Sequence, residues 1–187
     1  MRAAFRDKPY TDPSSNLWAP IAQQSDDHWK PELAAAVERA RRDGTRVVLL
    51  TSGAGDAEQI ATLLAVQKLV TYSGPVGGSG PSWMGFWFFG RKHWLLDGLP
   101  SDCVLDWPYQ ITSGNGLLLS GTDLETVVGY SKNHDPNIGV AAAVIPCGRG
   151  EIVLLALPGL MDSFVSGNSS AFHPVTAKRL MFNALKK

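Results

Sequence analysis

An excess of charge of either sign is missing from this chain. Seventeen Lys and Arg residues face seventeen Asp and Glu among 187 residues, and the pI is about 6.9. That balance removes the electrostatic footprint of a nucleic-acid binder, which needs surplus cations to neutralise phosphates. Long hydrophobic runs are missing too. None approaches the roughly 20 residues of a membrane-spanning helix, and Met1 to Gln24 carries no apolar stretch of the signal-peptide kind, so the sequence reads as soluble. Cysteine is scarce: Cys103 and Cys147 lie far apart with no CxxC spacing, which removes the usual zinc sites and leaves their pairing open. What the chain does have is apolar material. Hydrophobic residues make up 44% and charged residues 18%, enough for the core of one domain.

Residues 1–30 are rich in turn formers, such as Asp12-Pro13-Ser14-Ser15-Asn16, and read as an extended arm pinned by Leu17, Trp18 and Ile21. A single domain is expected over 31–187. Its first helix opens around Pro31, carries Leu33, Ala36, Val37 and Ala40 on one face, and stops at Gly44. The basic cluster Arg39, Arg41, Arg42 and Arg46 is assigned to that helix end, where cations suit the dipole. Val47–Leu50 has the continuous apolar character of a strand buried on both faces. After the turn Thr51–Gly55, Asp56 and Gln59 suggest a capping box for a second helix striped by Ile60, Leu63 and Leu64. Two hairpins are expected later, one around Gly121-Thr122-Asp123 and one around Gly148-Arg149-Gly150. His173-Pro174 then opens a last helix with Ala177, Leu180, Met181 and Ala184 on one face. Helix, buried strand, Gly-rich turn and helix in that order predict a layered α/β fold. Its sheet should be mostly parallel, with antiparallel hairpins at one side and helices on its faces.

Four segments, in order, carry a family resemblance: Asp43–Leu50, His93–Pro100, Asp106–Gln110 and Gly148–Leu154. Together they resemble the glutamine-amidotransferase-like α/β domain at the C-terminal end of some family 2 glycoside hydrolases, the β-galactosidase relatives. The resemblance runs from about Pro31 to the end of the chain. It implies a flavodoxin-like, class I amidotransferase-like layering and an accessory role beside other domains or a carbohydrate. The catalytic barrel of such enzymes needs about 250 residues by itself, more than this whole chain. Active amidotransferases place a cysteine at the sharp turn after a central strand, and Ser52 stands at that point here.

The candidate site residues follow from these placements. Ser52 lies past the carboxyl end of a strand and before a helix N-terminus, where ligands bind in open α/β sheets. As a nucleophile it would need a base, His93 or His173, and an orienting acid, Asp97 or Asp162. That set describes a small hydrolase of esters, lactones or related acyl substrates. Its flanks lack the first glycine of a GxSxG elbow, and a turn-tightening serine is the commoner reading. His173 is more simply a helix-start residue, and His93 a cap or anchor for the loop before Leu99-Pro100. Trp83, Trp87, Trp94, Trp107 and Tyr109 form an aromatic-rich middle. Of these, Trp83, Trp87, Trp107 and Tyr109 are the candidate sugar platform, with a core or domain interface as the alternative. The loop Asn133–Asn137 gathers oxygen ligands as a calcium site would, but out of EF-hand register, and an Asx-turn accounts for it without metal. The loop Gly77–Gly80 lacks the lysine of a phosphate-binding loop. No cofactor is expected. The two function classes left are an accessory module in a carbohydrate-processing context and a small acyl hydrolase.

Overall fold

The computed structural model describes residues 17–20, 29–51, 54–76, 86–105, 116–132, 137–157, 159–167 and 174–186. In chain order the elements are β1 (Leu17–Pro20), α1 (Trp29–Asp43), β2 (Arg46–Leu50), α2 (Ala54–Val66), β3 (Thr71–Pro75), β4 (Phe86–Gly90), β5 (Cys103–Leu105), β6 (Leu117–Ser120), β7 (Glu125–Lys132), β8 (Ile138–Cys147), β9 (Gly150–Leu155), α3 (Leu160–Ser166) and α4 (Pro174–Leu185). A 3-10 turn at Trp94–Leu96 separates β4 from β5.

The apolar runs near residues 47, 140 and 152 meet side by side, as their composition predicts. β2 pairs parallel with β9, Val48 opposite Val153, and β9 pairs antiparallel with β8, Val153 opposite Val144. Side chains alternate across a strand, and here both faces are covered. Val47, Leu49, Ile152 and Leu154 pack with Leu33, Val37, Ile60 and Leu64 of α1 and α2. Val48, Leu50, Val153 and Leu155 pack with Leu160 of α3 and with Leu180 and Met181 of α4. This two-sided burial explains why β2 reads as an unbroken apolar run rather than as an alternation.

The sheet corrects the expectation of mostly parallel pairing. Strand order is β1-β2-β9-β8-β7-β4-β5, with β6 joining β3 and β8. Among the described residues only β1–β2 and β2–β9 are parallel, and the remaining pairs are antiparallel. Connection length is the reason. Only Gly148 and Arg149 separate β8 from β9 and five residues separate β7 from β8, whereas a parallel crossover needs about a dozen. The hairpin expected around Gly121–Asp123 also gives way. β6 pairs with β3 and β8, while β7 pairs with β8 and β4.

Three local expectations change. Within the N-terminal arm, Leu17–Pro20 join the sheet as an edge strand beside β2, a place that tolerates Pro20. Asp56 stands inside the first turn of α2, which starts at Ala54, and so is not its cap. Arg46 is not part of the α1 terminus; it opens β2. Gly44, with φ +75°, ends α1 as expected.

No described helix is long and apolar enough to cross a membrane. The Cys147 thiol is free and buried, close to the Val37 carbonyl at 3.6 Å, and burial pushes its pKa up. Cys103 lies in β5, and its side chain is outside the described residues.

Candidate functional site

Arg46 organises a cleft among the described residues. As the first residue of β2 it stands at the amino end of the parallel strands, and its side chain is 12% exposed. Its Nε donates to Glu151 Oε1 at 2.5 Å, across the β2–β9 pair in which the two residues are direct partners. Its Nη1 donates to the carbonyls of Ala184, at 3.4 Å, and Lys186, which satisfies acceptors left over at the end of α4. The guanidinium carbon lies 4.1 Å from the centre of the Trp94 ring, a cation–π stack. One side chain therefore ties together two strands, one helix end and the 3-10 turn.

The segment that follows β4 forms the other wall. His93 caps the 3-10 turn: its Nδ1 accepts from the Leu95 N–H at 3.1 Å. With Nδ1 accepting, the ring proton belongs on Nε2, which faces Glu125 Oε2 at 3.2 Å and donates to it. Burial lowers the His93 pKa below its ordinary value near 6.5, against the opposing pull of Glu125. The folded ring is thus held neutral with both nitrogens in use. Asn183 supports the same segment from α4. It is 5% exposed, and its Nδ2 donates to the carbonyls of Leu95 and Asp97, each at 2.9 Å. Arg179 adds a bond from Nε to the Asp97 carbonyl at 2.8 Å and an ion pair with the Asp97 carboxylate at 3.3 Å.

Between these walls lies an open cleft of about 620 Å³, bordered by Arg46, Lys92, His93, Trp94, Asp97, Ser101 and Lys186 among others. That volume falls within the about 300–1,000 Å³ of small-molecule pockets. Trp94 is 37% exposed.

The structure brings His93 and Asp97 together in this cleft. It places them at the amino end of β2, by Arg46. Thr51, which continues the β2 ladder by donating to the Leu155 carbonyl at 3.2 Å, lies roughly 17 Å further along at about 3.3 Å per residue. Ser52 and His173 are outside the described residues, as are Trp83, Trp107, Tyr109 and residues 133–136 of the candidate calcium loop. Trp87 lies in β4, paired with Ser131 of β7, and its side chain is likewise not described. Asp162 is exposed in the first turn of α3. Among the described residues, no cluster of His, Cys, Asp and Glu is arranged to hold a metal.

Sequence reasoning missed Arg46, Glu125, Glu151, Asn183 and Lys186 as parts of one site. Two signals were readable. Asn183 falls three residues after Leu180, on the buried and mostly apolar stripe of α4, and a polar residue on a buried stripe needs a partner. Arg46 begins an apolar strand, where a lone charge has the same need.

Comparison of the chain with known protein families, curated proteins and solved structures gives no match. The functional reading therefore rests on residues and geometry.

Two measurements check this geometry. Asn183→Ala leaves the buried Leu95 carbonyl without its donor and the Asp97 carbonyl with Arg179 alone, and is expected to cost about 2 kcal/mol, read as a lower urea midpoint at unchanged slope. The His93 prediction is one of pH. A folded pKa below the unfolded value means the unfolded chain takes up the proton first. The stability contributed by neutral His93 is then complete above pH 6.5 and declines as pH falls below it. Melting temperatures of wild type and His93→Gln, measured from pH 7.5 to 5, should converge towards acid. A constant gap would contradict the assigned protonation state.

Proposed function

We propose that this chain is a non-catalytic accessory α/β domain with flavodoxin-like, class I amidotransferase-like layering. In this reading it is related to the C-terminal appendage of family 2 glycoside hydrolases, and it contacts other domains of such an enzyme, or a carbohydrate. One observation carries the non-catalytic part. The only candidate base among the described residues, His93, spends Nδ1 on the Leu95 N–H and Nε2 on Glu125. A general base needs a ring nitrogen free to take a proton from the reacting group.

The placement of the resembling segments supports the family part. Asp43–Leu50 supplies Arg46, His93–Pro100 supplies His93, Trp94 and Asp97, and Gly148–Leu154 supplies Glu151. These residues meet around one cleft. The fourth segment, 106–110, is outside the described residues. Such stretches hold the amino ends of β2 and β9 to α4, a structural duty that needs no substrate turnover.

The test is a panel of aryl esters, lactones and aryl glycosides incubated with the purified chain, with divalent metal added or chelated. The expected result is no turnover above buffer. Turnover abolished by Ser52→Ala in a folded variant would establish the acyl-hydrolase reading instead. One feature favours that second reading. The parallel neighbours β2 and β9 both run from their carboxyl ends into helices within a few residues, α2 from Ala54 and α3 from Leu160. By sequence Ser52 belongs to the first of those connections, and Asp162 stands in the first turn of the helix that follows the second.

A further inference from the structure

We infer that the cleft beside Trp94 is a binding site for an anionic saccharide, one bearing a carboxylate or a sulfate. The inference rests on the carbohydrate-context reading above and names the ligand class for it.

Cationic donors that lack a carboxylate partner argue for an anionic ligand. Every acid around the cleft already has a partner: Glu151 takes Arg46 Nε, Asp97 pairs with Arg179, Glu125 accepts from His93, and the Asp102 carboxylate accepts the Lys92 backbone N–H at 2.7 Å. The cations are not used up in the same way. Arg46 employs Nε and Nη1 in the protein and leaves Nη2 without a partner among the described residues. Lys92 and Lys186 line the same cleft, the Lys186 Nζ lying 5.8 Å from the centre of the Phe182 ring, and neither side chain has a carboxylate partner among the described residues. The donors left over are therefore positive. They suit carboxylate or sulfate oxygens, to which charge-assisted hydrogen bonds are the strong ones.

The aromatic wall decides the rest of the ligand. Trp94 is held in place from one side by the Arg46 guanidinium and is tilted 42° to the His93 ring, 5.0 Å away. The exposed part of the indole is a flat apolar surface. A sugar ring offers apolar C–H groups to such a surface and hydroxyls to the carboxylate of Asp97 and the hydroxyl of Ser101, both of which border the cleft. A small inorganic anion would use the cations but gain nothing from the indole, and a neutral sugar would use the indole but leave the cations unanswered.

The test is calorimetric titration of the full chain with digalacturonate, a sulfated disaccharide and the neutral disaccharide lactose, at low and at physiological salt. Expected is binding of the two charged sugars in preference to lactose, weakened by salt because the cationic groups are partly exposed. In the Lys92→Gln/Lys186→Gln variant the affinity for digalacturonate should fall about tenfold or more, as loss of charge-assisted contacts implies. Trp94→Ala should reduce binding of both charged sugars, with circular dichroism confirming that each variant is folded. Equal affinity for lactose and digalacturonate would overturn the charge preference while leaving the carbohydrate reading in place. Binding of digalacturonate that survives both variants would overturn this site. No binding of any of the three by folded wild type overturns the inference outright, whereas the accessory reading fails separately, on turnover in the hydrolase assay.

Discussion

Replacing Gly150 with alanine is expected to destabilise the fold by about 3 kcal/mol, at the upper end of overpacking penalties. The reason is contact rather than dihedral strain. A Cβ at position 150 would stand 2.2 Å from the Thr45 carbonyl oxygen, 2.7 Å from that of Ala40 and 2.9 Å from the Gly44 carbonyl carbon. All three are backbone atoms, so no rotamer change relieves the clash, and α1 would have to lift off the β8–β9 turn. That turn is bound tightly from the same side. The Arg149 N–H donates to the Arg41 carbonyl at 3.0 Å, and Gly148, at φ +60°, has the Arg41 backbone within 3.0 Å of where its own Cβ would be. Gly55→Ala in the first turn of α2 is the control. Nothing lies within 4 Å of a Cβ there, and the substitution should stabilise by about 0.4–1 kcal/mol through lower unfolded-chain entropy. Denaturation of the two variants should therefore shift the urea midpoint in opposite directions. Equal midpoints for Gly150→Ala and wild type would mean that α1 and the turn are not packed as described.

Arg46→Ala is the second large effect, about 3 kcal/mol. Removing one member of a buried ion pair costs about 3–5 kcal/mol; the 12% and 30% exposure of the Arg46 and Glu151 side chains places this pair at the lower end. The loss has three parts. Glu151 is left without its partner, the terminal carbonyls of α4 lose their donor, and the Trp94 ring loses the guanidinium stacked on it. Arg46→Lys should recover only part of the stability, since an ammonium cannot reach Glu151 and the α4 end in one plane and stack as well. A double-mutant cycle with Glu151→Ala separates the ion pair from the other two parts, with a coupling of about 1–2 kcal/mol expected for groups in direct contact. Additive costs would show that Glu151 and Arg46 do not interact in solution. Trp94 emission should also change in Arg46→Ala, whereas Gly150→Ala, which touches α1 and the turn, should leave it unaltered in the folded state.

Local pattern made much of the fold legible. The apolar run Val47–Leu50 has the pattern of a strand covered on both faces, and α1 and α4 announce their buried stripes at i, i+3 and i+4. Gly148-Arg149 marks the β8–β9 hairpin because a two-residue link permits no other pairing. Pattern failed where pairing is non-local. The spacing of β6 and β7 fits a hairpin, yet β6 lies against β3 and β8, a choice made by burial on the sheet rather than by the turn between them. α3 gave little signal because it is only seven residues long.

The candidate site was less legible still. His93 and Asp97 were visible as polar residues in a resembling segment, but their use as cap and anchor depends on Leu95, Glu125, Asn183 and Arg179, drawn from the 3-10 turn, β7 and α4. From sequence alone follow the lack of net charge, a sum over the whole chain, and the buried central strands and amphipathic helices, which depend on residues within about a dozen positions of one another. Only the tertiary structure decided that Arg46, Trp94 and Lys186 share a cleft, that β6 lies against β3 and β8, and that His93 is occupied at both nitrogens. Those facts depend on contacts between residues up to 140 positions apart, and short-range periodicity carries no information about them.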